Sequence, residues 1–421
     1  MYSMSVRAVA LSAASALIVF GPSNAQDNSG SFESRSILSA QEIPNSETDP
    51  VPLPVGVFVV QPSVDFGVGW TSNVFATAIS EEGATYFQFK PSFDISTDWT
   101  RHAMGGLLEF DHVENSDFTS ESYTDVKLGL NGRLDLSRTF SLAGNLFSED
   151  ITESRTALAN IPGALEPNEF SRSGGGLELL REGQRWLFGA TLDLTAFDFD
   201  DVEVPLDLIQ DQDFRDHDEI DGRLRVAYAV DENWVAYTEA QRIEADFDLP
   251  GIFNAFNRDY EGNTVSVGSD FKLGDSISAD IGIGFMSYTF TDPSYADIED
   301  VSVSGNVQWA LAERTTIETE FSRGFVDPGL LADIAAIETG LNVQLAHGVS
   351  SNVFLTGGAG FNNYEFENID RSDDRIDVNL GANWRLNKNL WLESNFELRD
   401  SSSPIQEFTE NRVLFRMRVF P

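Results

Sequence analysis

The chain has 421 residues, no cysteine, and a formal net charge of -41 from 68 acidic and 27 basic residues. The missing thiols exclude disulfides, thiol catalysis and cysteine-bound metals, and the acidity makes nucleic acid and anionic lipid poor partners. With 41% apolar residues and 32 Phe, the composition is not that of a disordered acidic protein.

Residues 1–25 read as a cleavable signal peptide. Arg7 supplies a positive start, Ala8 to Phe20 is an apolar run too short to span as a helix, and Ser23-Asn24-Ala25 gives a small-x-small cleavage site. No later run is long and apolar enough for a transmembrane helix. Residues 26–54 are polar and carry Pro44, Pro50, Pro52 and Pro54 without periodicity, which predicts a flexible periplasmic lead-in.

From residue 55 to 421 one rule repeats. Pro62, Val64, Phe66, Val68 and Trp70 alternate with Ser63, Asp65, Gly67, Gly69 and Thr71, and Phe87, Phe89, Phe93 and Ile95 with Gln88, Lys90, Asp94 and Ser96. The pattern recurs down to Ile376, Val378, Leu380, Ala382 and Trp384, which turn through residues 386–389 into Leu390, Leu392, Ser394, Phe396 and Leu398. Successive side chains of a strand point to opposite faces, so every arm has one apolar and one polar side. Arms of about ten residues are long enough to cross a bilayer when tilted. The pattern predicts about eighteen strands, an even number as bacterial barrels require.

Short turns fall at Thr100-Arg101, Ser137-Arg138, Glu182-Gly183, Gly274-Asp275, Ala312-Glu313, His347-Gly348 and Asn387-Lys388, with longer loops rich in Asp, Glu and Gly between them. Short periplasmic turns alternating with long acidic extracellular loops describe an up-and-down outer-membrane β-barrel. Trp99, Trp186, Trp234, Trp309 and Trp384 lie beside short turns with the parity of the apolar face, as expected of aromatics at one membrane interface. Trp391 lies near a turn with the opposite parity.

The polar face carries Lys90, Asp94, Lys127, Arg133, Asp135, Arg223, Arg225, Asp270, Lys272, Asp377, Arg385, Arg399, Arg412 and Arg416. On a barrel these face the lumen, where charge sets solute preference or pairs to stiffen the wall. Residues 199–219 hold nine carboxylates against one Arg. The spacing lacks the glycine and distal glutamate of a calcium loop, so no metal site is assigned. No HExxH pair or GxSxG elbow occurs, so neither an enzyme nor a cofactor is expected. Two loops are candidates for folding into the lumen, Phe147 to Asn168 and Phe199 to Asp218; the first carries the apolar run Ala157 to Leu165.

The strings Ser72-Asn73-Val74-Phe75, Asp98-Trp99-Thr100-Arg101-His102, 131–138 (NGRLDLSR) and Asn411-Arg412-Val413 resemble the putative β-barrel porin 2 family of proteobacterial outer-membrane barrels, over roughly Pro54 to Phe420. The resemblance implies a Gram-negative outer-membrane channel that is a conduit for exported polysaccharide. Its partners would be outer-membrane lipid, a periplasmic polysaccharide-export protein, and the machinery that inserts barrels. A general diffusion porin for cations or small neutral solutes, and a non-conducting surface or adhesion barrel acting through its loops, are the alternatives. One departure is the C-terminus: barrels commonly end on an outward aromatic, whereas here Pro421 is last and Phe420 has the inward parity.

Overall fold

The computed structural model describes residues 37–421 apart from 38, 40, 43, 207, 249–256, 331–333 and 368; the expected signal peptide lies outside the described residues. Eighteen long strands form a ring. They are β1 (Phe58–Thr71), β2 (Ala84–Thr97), β3 (Ala103–Asn115), β4 (Tyr123–Asp135), β5 (Phe140–Thr152), β6 (Glu169–Glu182), β7 (Trp186–Phe199), β8 (His217–Ala229) and β9 (Trp234–Phe247). The ring continues with β10 (Tyr260–Leu273), β11 (Ile277–Phe290), β12 (Ile298–Ala312), β13 (Thr315–Val326), β14 (Ala336–Gly348), β15 (Val353–Phe366), β16 (Ser372–Asn387), β17 (Leu390–Ser402) and β18 (Phe408–Val419). Each strand pairs antiparallel with its chain neighbours. β18 returns to β1 from Val64↔Val419 to Thr71↔Arg412, which closes the barrel.

Connections 98–102, 136–139, 183–185, 230–233, 274–276, 313–314, 349–352 and 388–389 lie at one end, the turn end. Connections 72–83, 116–122, 153–168, 200–216, 248–259, 291–297, 327–335, 367–371 and 403–407 lie at the other, the loop end. The last two are no longer than the turn 98–102, so the expected contrast in length fades toward the C-terminus.

The alternation sorts the faces as the sequence implies. Leu128, Leu130, Leu192, Leu194, Val265, Val267, Ile283 and Phe285 keep 46 to 59% of their surface exposed on the outside. An apolar patch of that extent belongs against lipid rather than water. A closed ring also leaves no strand edge unpaired in hydrocarbon. Trp99, Trp186, Trp234, Trp309 and Trp384 stand exposed around the turn end, and Trp70 stands at the loop-end rim. Leu192 sits halfway along β7, so Leu192→Arg is expected to destabilise the barrel by about 2–4 kcal/mol, the cost of a guanidinium at mid-membrane depth. Urea unfolding in lipid vesicles measures it, and an unshifted midpoint would move Leu192 out of the lipid belt.

Two departures from regularity shape the interior. β12 and β13 pair only from Val303↔Arg323 toward the turn end. Above that point β13 leans inward and Phe325 stacks on Tyr288 at 4.1 Å. Arg323 spans the separation, donating to Asp300 and Thr339 at 2.6 Å each.

The second departure lies in the stretch expected as a lead-in, where several described residues are bound to the barrel. Leu53–Val55 forms a short strand on β1. Residues Asn45 to Asp49 form a tight turn in which Thr48 and Asp49 N–H groups donate to the Asn45 carbonyl. Polar sequence without periodicity is read as free chain, yet here its carbonyls and one carboxylate meet donors on the barrel's inner wall.

Candidate permeation pathway

Basic side chains and carboxylates pair along the inner wall, some within one strand, some across adjacent strands and one, Arg225 with Asp280, from β8 to β11. Lys90 reaches Glu109 at 2.8 Å and Asp111 at 3.4 Å. Arg133 pairs with Asp135 at 2.9 Å, Arg223 with Asp221 at 2.6 Å, and Arg225 with Asp280 at 3.2 Å. Arg399 pairs with Asp377 at 2.6 Å, and Arg416 with Glu393 at 3.3 Å. Arg418, on the same polar face, grips Asp65 through Nε and Nη2 at 2.6 and 2.7 Å. Asp94, Lys127, Asp270 and Lys272 share this face by register, Lys127 lying between Glu109 and Glu149. Many of the expected lumen charges are therefore held in pairs along the wall.

Arg412 differs. Its side-chain Nε is buried without a hydrogen-bond partner, and its ion-pair partner Glu410 stands 3.7 Å away. The Glu410 carboxylate is itself held by the Thr71 hydroxyl at 2.7 Å. The Arg412 guanidinium lies 5.6 Å from the Tyr86 ring centroid. Tyr86 lies flat on the wall because Gly69 leaves room: a Cβ there would fall 2.2 Å from Tyr86 Cζ. Arg412, Tyr86, Gln88, Tyr123 and Glu397 line one side of a cavity of about 260 Å³, and residues 152–156 line the other.

Loop 153–168 makes the cavity narrow, because it turns inward rather than outward. Its first residue, Glu153, is buried and receives both Nη groups of Arg215 at 3.2 and 2.9 Å, together with Asn168 Nδ2 at 2.7 Å. Arg155 clamps Glu121 through Nε and Nη2 at 3.0 and 2.6 Å. Thr156 accepts from Arg399 at 2.7 Å and from Arg375, and Gln406 donates to the Arg155 carbonyl at 2.8 Å. Leu158 then packs on Val326, Ala336, Tyr364 and Phe366. Those residues belong to β13, β14 and β15, opposite β5 and β6 in the ring, so the loop has crossed the lumen.

The described residues of loop 327–335 also enter the loop-end interior. Ile334 is fully buried among Phe247, Tyr260, Met286, Tyr288 and Ile337. Arg258 fastens the loop through the Leu330 carbonyl and both oxygens of Asp327, each at 2.8 Å. Gly329 has φ +68°, and a Cβ there would lie 3.0 Å from Ala159 Cβ. A side chain would force the two inward loops apart.

Of the two candidate loops, the second buries Val202, Gln212, Phe214 and Arg215 among its described residues. Its carboxylates stay outside, where Asp201, Asp211 and Asp213 bring oxygens within 4.8 Å of one another. Asp201 and Asp211 accept backbone N–H groups of Gln212 and Asp213 at 3.0 Å, so the cluster folds the loop. Asp216 accepts the Phe199 N–H at 2.7 Å. Burial, opposed by that bond and reinforced by Asp198, Asp213 and Asp248, pushes its carboxyl up to about 6. A raised carboxyl pKa means the fold favours the protonated form, so stability falls as pH rises from about 4 to about 6. Asp216→Asn is expected to raise the melting temperature near pH 7.5 and leave it unchanged near pH 4. Equal shifts at both would assign the effect to something other than this titration.

At the turn end the lead-in occupies a built seat. Arg385 and Asp49, each nearly fully buried, pair at 3.0 Å. Arg385 also donates to the Gln41 carbonyl at 2.7 Å. Its guanidinium lies 4.3 Å from the Trp391 ring centroid and 4.7 Å from that of Phe354. Trp391, inward as its parity requires, donates to the Thr48 carbonyl at 3.0 Å and meets Phe420 edge-on at 4.9 Å. Farther along, Asn45 donates to the Ser351 carbonyl and the Ile37 N–H to Gln308, both at 2.7 Å. Alternation placed Arg385, Trp391 and Phe420 indoors, but nothing in the sequence announced that residues 37–50 would meet them.

A closed antiparallel barrel with an apolar belt, an aromatic rim and a charged lumen narrowed by an inward loop is a porin-like outer-membrane β-barrel. The chain belongs to the putative β-barrel porin 2 family, whose model matches residues 46–420. No curated protein matches it. Among solved structures it is similar to a BenF-like porin from Pseudomonas fluorescens Pf-5, at 11% identity over 86% of this chain and 99% of that one, with TM-score 0.47. Pseudomonas aeruginosa OccK2 (OpdF) in complex with glucuronate gives 10% identity over 86% and 98%, with TM-score 0.47. Pseudomonas aeruginosa OpdK gives 12% over 86% and 99%, with TM-score 0.44.

Proposed function

We propose that the protein is a restrictive outer-membrane channel for small polar solutes, with its turn end in the periplasm and its loop end outside the cell. The observation that carries this reading is loop 153–168 lying across the lumen, which leaves a cavity of about 260 Å³, near the lower limit of small-ligand sites. The path runs off-axis along β17, β18 and β1 to β4. There Arg412 and the two phenols offer donors, and Glu397 and Glu410 offer acceptors, so solutes that do both and carry no net charge fit best. The acidic outer loops favour cations over anions at the entrance.

Swelling of proteoliposomes in neutral solutes of graded size tests the reading. Rapid entry of monosaccharide-sized solutes with exclusion of oligosaccharides is the expected result, and equal entry of both would sink it. The conduit for exported polysaccharide, with a periplasmic export protein as partner, is the second reading. It is favoured by the family resemblance. It requires loop 153–168 to move aside. Unaltered surface polysaccharide in cells lacking this protein would count against it.

A further inference from the structure

We propose that the cavity beside loop 153–168 is a binding station for small zwitterions, α-amino acids being the class that fits. The inference rests on the channel reading above and names its solute. Near the cavity, register sets three arginines directly opposite carboxylates of the next strand, and each pair closes. Asp377 meets Arg399 at 2.6 Å, Glu393 meets Arg416 at 3.3 Å, and Asp65 meets Arg418 at 2.6 Å. Glu397 and Arg412 are opposed in the same way, on β17 and β18. Their Cβ atoms are therefore about 5 Å apart on one face, yet no ion pair joins them among the described residues. Each is drawn off by a neighbour. Asn395 Nδ2 donates to Glu397 at 2.6 Å. Arg412 leans over the Tyr86 ring and toward Glu410, whose carboxylate the Thr71 hydroxyl holds.

The parted pair suits a molecule that carries both charges. A carboxylate on Arg412 and an ammonium on Glu397 each make a charge-assisted hydrogen bond. A plain carboxylate would meet Arg412 but face Glu397 and Glu410, and a plain amine would meet those carboxylates but face Arg412. Each wrong solute thus finds one attraction and one repulsion, and discrimination needs no great affinity. Other charges of the lining are already committed, Arg155 to Glu121, Glu153 to Arg215 and Arg416 to Glu393. Val113 and Leu414 supply apolar lining for a short side chain, and about 260 Å³ suits one amino acid rather than a peptide. Arg412 keeps 42% of its side chain exposed, so water competes for it and the solute is held loosely enough to pass.

Uptake into proteoliposomes at pH 7, above that of protein-free liposomes, tests the station with four solutes of nearly one skeleton. L-alanine is the zwitterion, lactate the anion, alaninol the cation and propane-1,2-diol the neutral. At low concentration alanine is expected to enter several-fold faster than the other three, and its rate to saturate while that of the diol stays proportional to concentration. Arg412→Gln and Glu397→Gln are each expected to lower the ratio of alanine to diol uptake several-fold, the first shifting preference toward alaninol and the second toward lactate. Lactate or alaninol ahead of alanine in the wild type, four solutes entering alike without saturation, or a ratio unchanged in both variants would each overturn the station while leaving the channel reading in place. Entry of none of the four through a folded barrel would overturn the channel reading, and the station with it.

Discussion

Deleting Ala157 to Leu165 is expected to raise single-channel conductance several-fold and to admit solutes that the intact protein excludes. The deleted residues include Leu158, the contact with the far wall, and Ala159, the contact with Gly329. Glu153, Arg155 and Thr156 would remain to hold the stump against the near wall and against Arg215 and Arg399. The barrel wall itself, from Phe140 to Thr152 and from Glu169 to Glu182, is untouched. The variant should therefore fold, and gel-shift on heating would show that it does. An unchanged conductance in the folded variant would place the limiting constriction elsewhere.

Arg215→Ala should produce the second large effect. Arg215 and Glu153 are both nearly fully buried and joined by two hydrogen bonds, and Arg215 lies 3.9 Å over the Phe199 ring. Removing one partner of such a pair leaves an uncompensated buried charge, a loss of about 3–5 kcal/mol. The barrel need not unfold to relieve it, because loop 153–168 can leave the lumen and hydrate Glu153. The expected readout is accordingly local: protease cleavage within 153–168 and noisier, larger currents, with the urea midpoint of the barrel little changed. Adding Glu153→Gln to Arg215→Ala should restore part of the loop's protection, as neighbours that share an interaction do in a double-mutant cycle. Protection unchanged in the single variant would mean that Leu158 and Thr156 suffice to hold the loop.

The wall was legible in the sequence because a strand's faces are set by a period of two, which needs no knowledge of the partner. Strands β6 and β13 carry the faintest signals, with Gly174-Gly175-Gly176 in one and Thr315-Thr316 and Ser322 in the other, yet β6 pairs along its length with β5 and β13 with β14. The lumen charges were legible for the same reason. Their partners were legible only where they sat on the next strand, as with Arg399 and Asp377. The destinations of the two inward segments were not written in any local pattern. Thr156 meets Arg399 across 243 residues and Asp49 meets Arg385 across 336, and no periodicity reports a contact at that separation. The apolar run from Ala157 to Leu165 was the one available hint, since exposed alanine and leucine in a polar loop call for something to cover them.

The seat beneath Arg385 also has an order of construction. Trp391 lies at the start of β17 and Phe420 follows β18, so the seat's floor is made of strands translated long after its occupant. Phe420 takes its place beside Trp391 when β17 and β18 are in register, and the occupant's own anchor, β1, is joined to them only by ring closure. The segment before β1 must therefore wait for β17 and β18. A barrel halted short of completion has no place to dock its own beginning, which leaves that segment dangling as a chemical sign of unfinished assembly.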